Sequence, residues 1–127
     1  MRIIGHGIDL VEVSRIAAML EGHGARFVQR VFTPGEAQRG AGSRREAEHL
    51  AARFAVKEAA MKALGTGWSS GVAWTDIEVV RLASGQPTLS VTGRAAELAA
   101  AQGVSEWRVS ISHTETHAMA SVISIGV

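Results

Sequence analysis

The chain has 127 residues, 46 % of them hydrophobic, a formal net charge of +1 and no cysteine. This length and apolar content suit one domain, spanning 1–127, with a buried core, and argue against disorder. The lack of cysteine excludes disulfides, thiolate metal sites and thiol nucleophiles. A near-balanced charge gives no case for nucleic acid as a partner. No apolar run approaches the ~20 residues that cross a bilayer, so no membrane is expected either. Met1-Arg2-Ile3-Ile4-Gly5 does not open as a signal peptide, since His6 and Asp9 follow closely. The expectation is a soluble, cytoplasmic protein. Arginine is concentrated early, at Arg15, Arg26, Arg30, Arg39, Arg44 and Arg45. Such a region suits an acidic partner, although solvated helices also carry arginine.

Taken in order, Arg2–Val13 (RIIGHGIDLVEV) is β-rich and interrupted by Gly5 and Gly7, which suggests a bulge or a close approach by another backbone or ligand. Asp9 stands between Ile8 and Leu10. An acid inside an apolar strand costs several kcal/mol (about 2–7 for a polar group) unless it is paired, hydrogen-bonded or metal-bound; the alternative is a helix N-cap or turn. Val13, Ile16, Met19 and Leu20 have helical spacing, with Arg15 on another side, and Gly22-His23-Gly24 ends that helix. Ala25–Phe32 forms a short helix with Phe27, Val28 and Val31 inward. Thr33-Pro34-Gly35-Glu36 is a capping box with proline at the first helical position, and it explains Glu36 structurally. Ser43-Arg44-Arg45-Glu46 reads as a second box, opening a long helix from about Arg44 to Leu64.

Within that helix, Leu50–Gly67 (LAARFAVKEAAMKALGTG) is the organising stretch, closed by Gly65-Thr66-Gly67. At about 100° per residue, Leu50, Phe54, Met61 and Leu64 form an apolar stripe. Ala52, Ala55, Ala59, Ala60 and Ala63 form a second face, smooth enough for close backbone packing. Glu58 and Lys62 share the window between these faces, and Arg53 and Lys57 lie beyond the stripe. Such a Glu–Lys pair on an exposed helix contributes only ~0.2–0.5 kcal/mol and is common there.

A loop at Trp68 and Ser69-Ser70-Gly71 follows. Asp76–Ala83 reads as a strand with Ile77, Val79 and Leu82 apolar; Ser84-Gly85-Gln86-Pro87 turns, and Thr88–Val91 is a second strand. Thr92 is the expected N-cap of an alanine-rich helix ending near Gly103. Trp107–Ser112 alternates as a half-buried strand, His113–His117 turns, and Ala118–Ile125 returns antiparallel. The fold class is α+β: an antiparallel β-sheet packed against one long helix, with shorter helices around it.

Three features carry chemistry: Asp9, the Glu58/Lys62 pair, and Ser112-His113-Thr114 at a strand end. Two carboxylates suit a hard cation such as Mg²⁺, which keeps waters and is often completed by substrate phosphates. Nearby lysine, arginine and histidine would hold those phosphates, which points to phosphoryl-type transfer. A transition-metal site at His113–His117 is the other reading; it lacks the helical zinc-protease spacing.

GIDLVEVSRI, RFVQRVFTPGE, LAARFAVKEAAMKALGTG, GQPTLSVTG and VSISHT, in this order from Ile3 onward, resemble the holo-acyl-carrier-protein synthase type of 4′-phosphopantetheinyl transferase. The resemblance implies the 4′-phosphopantetheinyl transferase fold and transfer of the 4′-phosphopantetheine arm of coenzyme A to a serine of apo-acyl carrier protein in fatty-acid synthesis. It implies Asp9 and Glu58 as Mg²⁺ ligands, and Lys62 as the lysine steadying charge on the moving phosphate. Glu58, directly or through a metal-bound water, becomes the candidate base. Arg53 and, from a neighbouring subunit, His113 would grip the nucleotide 3′-phosphate. Arg15, Met19 and Arg26 would dock the acidic helix of the carrier protein, and the short class implies a homotrimer with sites at subunit interfaces. A non-catalytic carrier-binding module and a Mg²⁺-dependent nucleotide hydrolase are the alternatives. Two departures stand out. Gln38-Arg39-Gly40 replaces the aromatic residue and cysteine often found there, and Val11 replaces the second acid of the larger two-domain enzymes.

Overall fold

The computed structural model describes residues 1–67 and 70–127; the loop expected at Trp68 and Ser69 falls outside the described residues. Strand β1 (Arg2–Glu12) leads directly into helix α1 (Val13–Val31). Then come α2 (Pro34–Gln38), α3 (Glu46–Leu64) and a 3-10 turn at Trp74–Asp76. The hairpin of β2 (Ile77–Arg81) and β3 (Pro87–Val91) is followed by α4 (Gly93–Gln102) and the hairpin of β4 (Val104–His113) and β5 (His117–Gly126). The class is the α+β one expected. The strands divide between a three-stranded antiparallel sheet, ordered β1-β5-β4, and the separate pair β2-β3.

Alternation along β1 and β5 decides which side of the larger sheet meets α3. Gly7, Val11, Ala118, Ala120 and Val122 are buried, whereas Ile8, Leu10 and Met119 face out. The register brings Asp9 opposite Ala120 and Ile111 opposite the same alanine from the other side. Gly5 and Gly7 are the close approach that their spacing suggested. A Cβ at Gly5 would stand 2.1 Å from the Ala63 carbonyl oxygen, and one at Gly7 1.8 Å from that of Ala59. The alanine face of α3 therefore packs backbone to backbone against β1. The β1–β5 register also shifts between Ile3 and Gly5, the bulge expected there.

α3 is buried almost all round, because the large sheet covers one side while α1, α2 and β2 cover the other. Its own Leu50 and Met61 are wholly buried, as are Ile16, Phe32 and Ile77 from other parts of the core. Each contributes about 1.5–3 kcal/mol through removal from water.

The helix boundaries differ from the sequence expectation in ways that have local causes. α1 contains a kink at Gly24 (φ 30°, ψ −108°), which separates the two short helices expected there. The Thr33 box forms: Glu36 N donates to Thr33 Oγ1 at 3.3 Å, and Thr33 N donates to Glu36 Oε1 at 3.0 Å. The second box does not form. α3 begins at Glu46, and the Ser43 backbone oxygen accepts from Glu46 N at 3.2 Å in place of any side-chain cap. Thr92 occupies the N-cap position of α4 without capping it. The Asp76 carboxylate serves instead, accepting from Ala95 N at 3.4 Å. β2 ends at Arg81, and Leu82, expected among the apolar residues of that strand, lies beyond it and is 51 % exposed.

Candidate active site

Asp9 lies in the middle of β1, which excludes the N-cap and turn readings. Its carboxylate answers to α3: Lys62 Nζ is 3.3 Å from Asp9 Oδ1 and donates to the Ile8 carbonyl oxygen at 3.0 Å. Glu58, half-buried, sits one helical turn before Lys62. Asp9 and Lys62 thus meet where β1 crosses α3, the helix that also carries Glu58. The Lys62 side chain remains 55 % exposed and that of Asp9 16 %, so the pair borders solvent. The window between two buried faces expected for Lys62 is therefore open on that side.

Sequence reasoning placed Arg53 and Lys57 beyond the apolar stripe and gave Lys57 no role. Both are buried, and Lys57 completely. Its ammonium lies 2.8 Å from Glu36 Oε1, donates to the Trp74 carbonyl oxygen at 3.1 Å, and makes a further short bond to the Ile77 carbonyl oxygen. Glu36 Oε2 accepts from Val79 N at 2.8 Å. Burial lowers the Lys57 pKa; the Glu36 charge and hydrogen bond oppose that shift. Capping accounts for only part of Glu36, which also links α2, α3 and β2. A single buried partner for a lysine leaves no periodic signal, so the pair was not legible beforehand.

Arg53 and His113 line one small cavity of about 190 Å³ with His49, Arg45 and Arg81, within a single chain. Arg53 Nη1 donates to His49 Nδ1 at 3.2 Å and to the His49 carbonyl oxygen at 3.3 Å. Burial is the main cause lowering the Arg53 pKa to about 10, with Glu36 opposing and Arg81 and Arg39 adding to it. A guanidinium at that value is still charged at neutral pH. His113 and His117 border different cavities, the latter beside Leu10, Val11 and Arg15. No group of three or more possible metal ligands occurs among the described residues.

Arg15, Met19 and Arg26 share the wall of a larger open cleft of about 890 Å³, with Phe27, Val31, Phe54 and Trp74 among its apolar lining. Phe54 and Trp74 stack with centroids 5.1 Å apart and planes 22° from parallel, and the Arg15 guanidinium lies 5.6 Å above the Phe54 ring. A cationic rim around an aromatic floor fits an apolar side chain flanked by carboxylates.

The 4′-phosphopantetheinyl transferase superfamily model matches residues 5–122, and the chain belongs to that superfamily. Among its relatives, the holo-[acyl-carrier-protein] synthase of Solibacter usitatus is 48 % identical over 121 residues, 95 % of this chain and 97 % of that one. The crystal structure of holo-[acyl-carrier-protein] synthase from Neisseria meningitidis matches with a TM-score of 0.86 at 33 % identity, covering 97 % of this chain and 98 % of that one. The Bacillus anthracis holo-(acyl-carrier-protein) synthase, solved in complex with CoA (3′,5′-ADP), matches with a TM-score of 0.81 at 34 % identity and covers 100 % of both chains. No helix among the described residues is long and apolar enough to cross a membrane.

Proposed function

We propose that this protein is a holo-acyl-carrier-protein synthase. It transfers 4′-phosphopantetheine from coenzyme A to a serine of apo-acyl carrier protein and releases adenosine 3′,5′-bisphosphate. The observation that carries the reading is the Asp9–Lys62 contact, which joins β1 to the turn of α3 that bears Glu58. The superfamily match and the synthase relatives support the same reaction.

Asp9 and Glu58 supply carboxylate oxygens only, a donor set that fits a hard cation such as Mg²⁺ better than a transition metal. When bound, Mg²⁺ would neutralise the pyrophosphate of coenzyme A. The carrier serine Oγ forms a bond to the β-phosphorus, and the bridging oxygen leaves with the adenosine bisphosphate. Glu58 accepts the serine proton, directly or through water. Lys62 turns its ammonium to the charge on the moving phosphoryl group. Arg53 and, from a neighbouring subunit, His113 hold the 3′-phosphate, and Arg15, Met19 and Arg26 hold the carrier at the large cleft.

The reading includes a homotrimer with sites completed across subunits. Its support is the outer face of the large sheet, where Ile8, Leu10 and Met119 are 47 %, 64 % and 40 % exposed, and Leu10 pairs directly with Met119. A contiguous apolar patch of this kind suits a second copy of the chain. Work on a cytoplasmic carrier in fatty-acid synthesis completes the proposal.

The test is mass spectrometry of apo-acyl carrier protein after incubation with the protein, coenzyme A and Mg²⁺. The carrier should gain one phosphopantetheine, and Glu58→Gln should reduce the rate by at least ~10²-fold while remaining folded. A stable but unmodified complex would establish a binding module instead. Coenzyme A cleaved without any carrier would establish a hydrolase.

A further inference from the structure

Arg53 is 4 % exposed, and its Nη1 already donates to His49. A guanidinium only donates, so His49 Nδ1 accepts, and the imidazole carries its proton on Nε2. That Nε2–H is buried without a partner among the described residues, and the Nε–H of Arg53 is in the same condition. Two neighbouring side chains therefore each retain a buried donor with no acceptor, and both line the small cavity. Buried donors are ordinarily satisfied, which makes two together a departure that calls for an acceptor.

The groups around these donors specify the acceptor's charge. Arg45, Arg81 and His113 line the cavity as well, and Arg39 is close enough to act on both His49 and Arg53. The only acid on the wall, Glu48, is 3.6 Å from Arg45. Glu36, which acts on Arg53, is bound to Lys57. The site is thus cationic, and the two buried groups of its lining residues that lack partners are both donors, which suits the oxygens of a phosphate monoester. Gly40, at φ +89°, lies against the His49 ring: a Cβ there would meet Cδ2 at 3.2 Å. The Gly40 loop thereby holds the ring edge that carries Nε2.

We propose that His49, as a neutral Nε2–H donor, is a further ligand of the phosphate monoester of the bound nucleotide, alongside Arg53. The inference rests on the functional reading above and adds a residue to its nucleotide end. Burial first, and then the charges of Arg53, Arg39 and Arg81, lower the His49 pKa to about 4, which keeps the ring neutral near pH 7. Neutrality preserves the Nδ1 acceptor on which the Arg53 contact depends.

The experiment is calorimetric titration of the full chain with adenosine 3′,5′-bisphosphate and with adenosine 5′-monophosphate, which lacks the 3′-phosphate. His49→Phe keeps a flat ring beneath Gly40 and removes the donor. It should weaken bisphosphate binding about tenfold and leave the monophosphate unchanged. Equal weakening of both ligands, or no change in either, overturns the inference; because Phe also removes the Nδ1 acceptor of Arg53, the direct contact is read from the nitrogen resonance. In the wild type, ¹⁵N NMR provides a second measurement that needs no variant. The His49 Nε2 resonance should report a protonated nitrogen and move with bisphosphate but not with monophosphate. An unprotonated Nε2, or equal shifts, also overturns it. If Arg53→Ala abolishes the preference for bisphosphate while His49→Phe preserves it, the functional reading stands and this inference alone fails. If the wild type shows no preference, both fail.

Discussion

Lys57 and Lys62 lie on the same helix, yet one side chain is fully buried and the other 55 % exposed. The buried ammonium is tolerated because a carboxylate and two carbonyl oxygens surround it. The exposed one is held by a single carboxylate contact and a carbonyl, and can be reassigned when phosphate arrives at little cost. Their roles separate accordingly: Lys57 holds α3 to α2 and β2, and Lys62 is available for chemistry. Removing one partner of a buried pair leaves an uncompensated charge. Lys57→Met should therefore lower unfolding free energy by about 3–5 kcal/mol, measured by urea denaturation, and adding Glu36→Gln should restore part of the loss. A single variant within ~1 kcal/mol of wild type would show that Glu36 is stabilised by its backbone donors alone.

At the level of elements, the contact of α3 with β1 is what brings Asp9 to Lys62. It depends on backbone approaching backbone, with Gly5 and Gly7 on the strand facing Ala63 and Ala59 on the helix. No rotamer change relieves a Cβ placed 1.8 Å from a carbonyl oxygen, so the two elements would have to separate. Gly7→Ala is expected to cost about 3 kcal/mol or more in stability, and to reduce transfer activity even where the protein stays folded. Gly22→Ala is the matched control: nothing lies within 4 Å of its added Cβ, and it sits inside α1. There the same substitution should raise the melting temperature, by about 0.4–1 kcal/mol of stability. If both changes behave alike, strand-to-helix distance is not what limits this site.

For the whole molecule, the inner face of the large sheet is occupied by α3, while its outer face presents Ile8, Leu10 and Met119. The proposed homotrimer covers this outer face. Light scattering of the wild type should give three times the subunit mass, and Leu10→Arg should shift it toward the single chain, with activity falling in parallel. A wild-type monomer, or a Leu10→Arg protein of unchanged mass, would place the subunit contact elsewhere or remove it. The exposed arginines of the large cleft lie on α1, an element separate from this patch. The proposed docking surface nevertheless borders the patch, since Arg15 and Leu10 line one small cavity.

How much of this was legible beforehand depended on range in the chain. The Thr33–Glu36 capping box, the αL glycine ending α3 at Gly65 and the β4–β5 hairpin were readable, because each is settled by neighbours a few residues away. The same local reasoning failed at Ser43 and Thr92. In those cases a backbone oxygen and the distant Asp76 supplied what a neighbouring side chain was expected to give. By itself, then, the sequence determined the order of elements, the α+β class and the residue types at the site. Only the tertiary structure decided depth and partnership: that Lys57 is sealed against Glu36, that Lys62 reaches Asp9, and that His49 and Arg53 retain open donors. The reason is physical. Burial and pairing are properties of the space between elements, and helical or strand periodicity specifies a face without saying what will cover it.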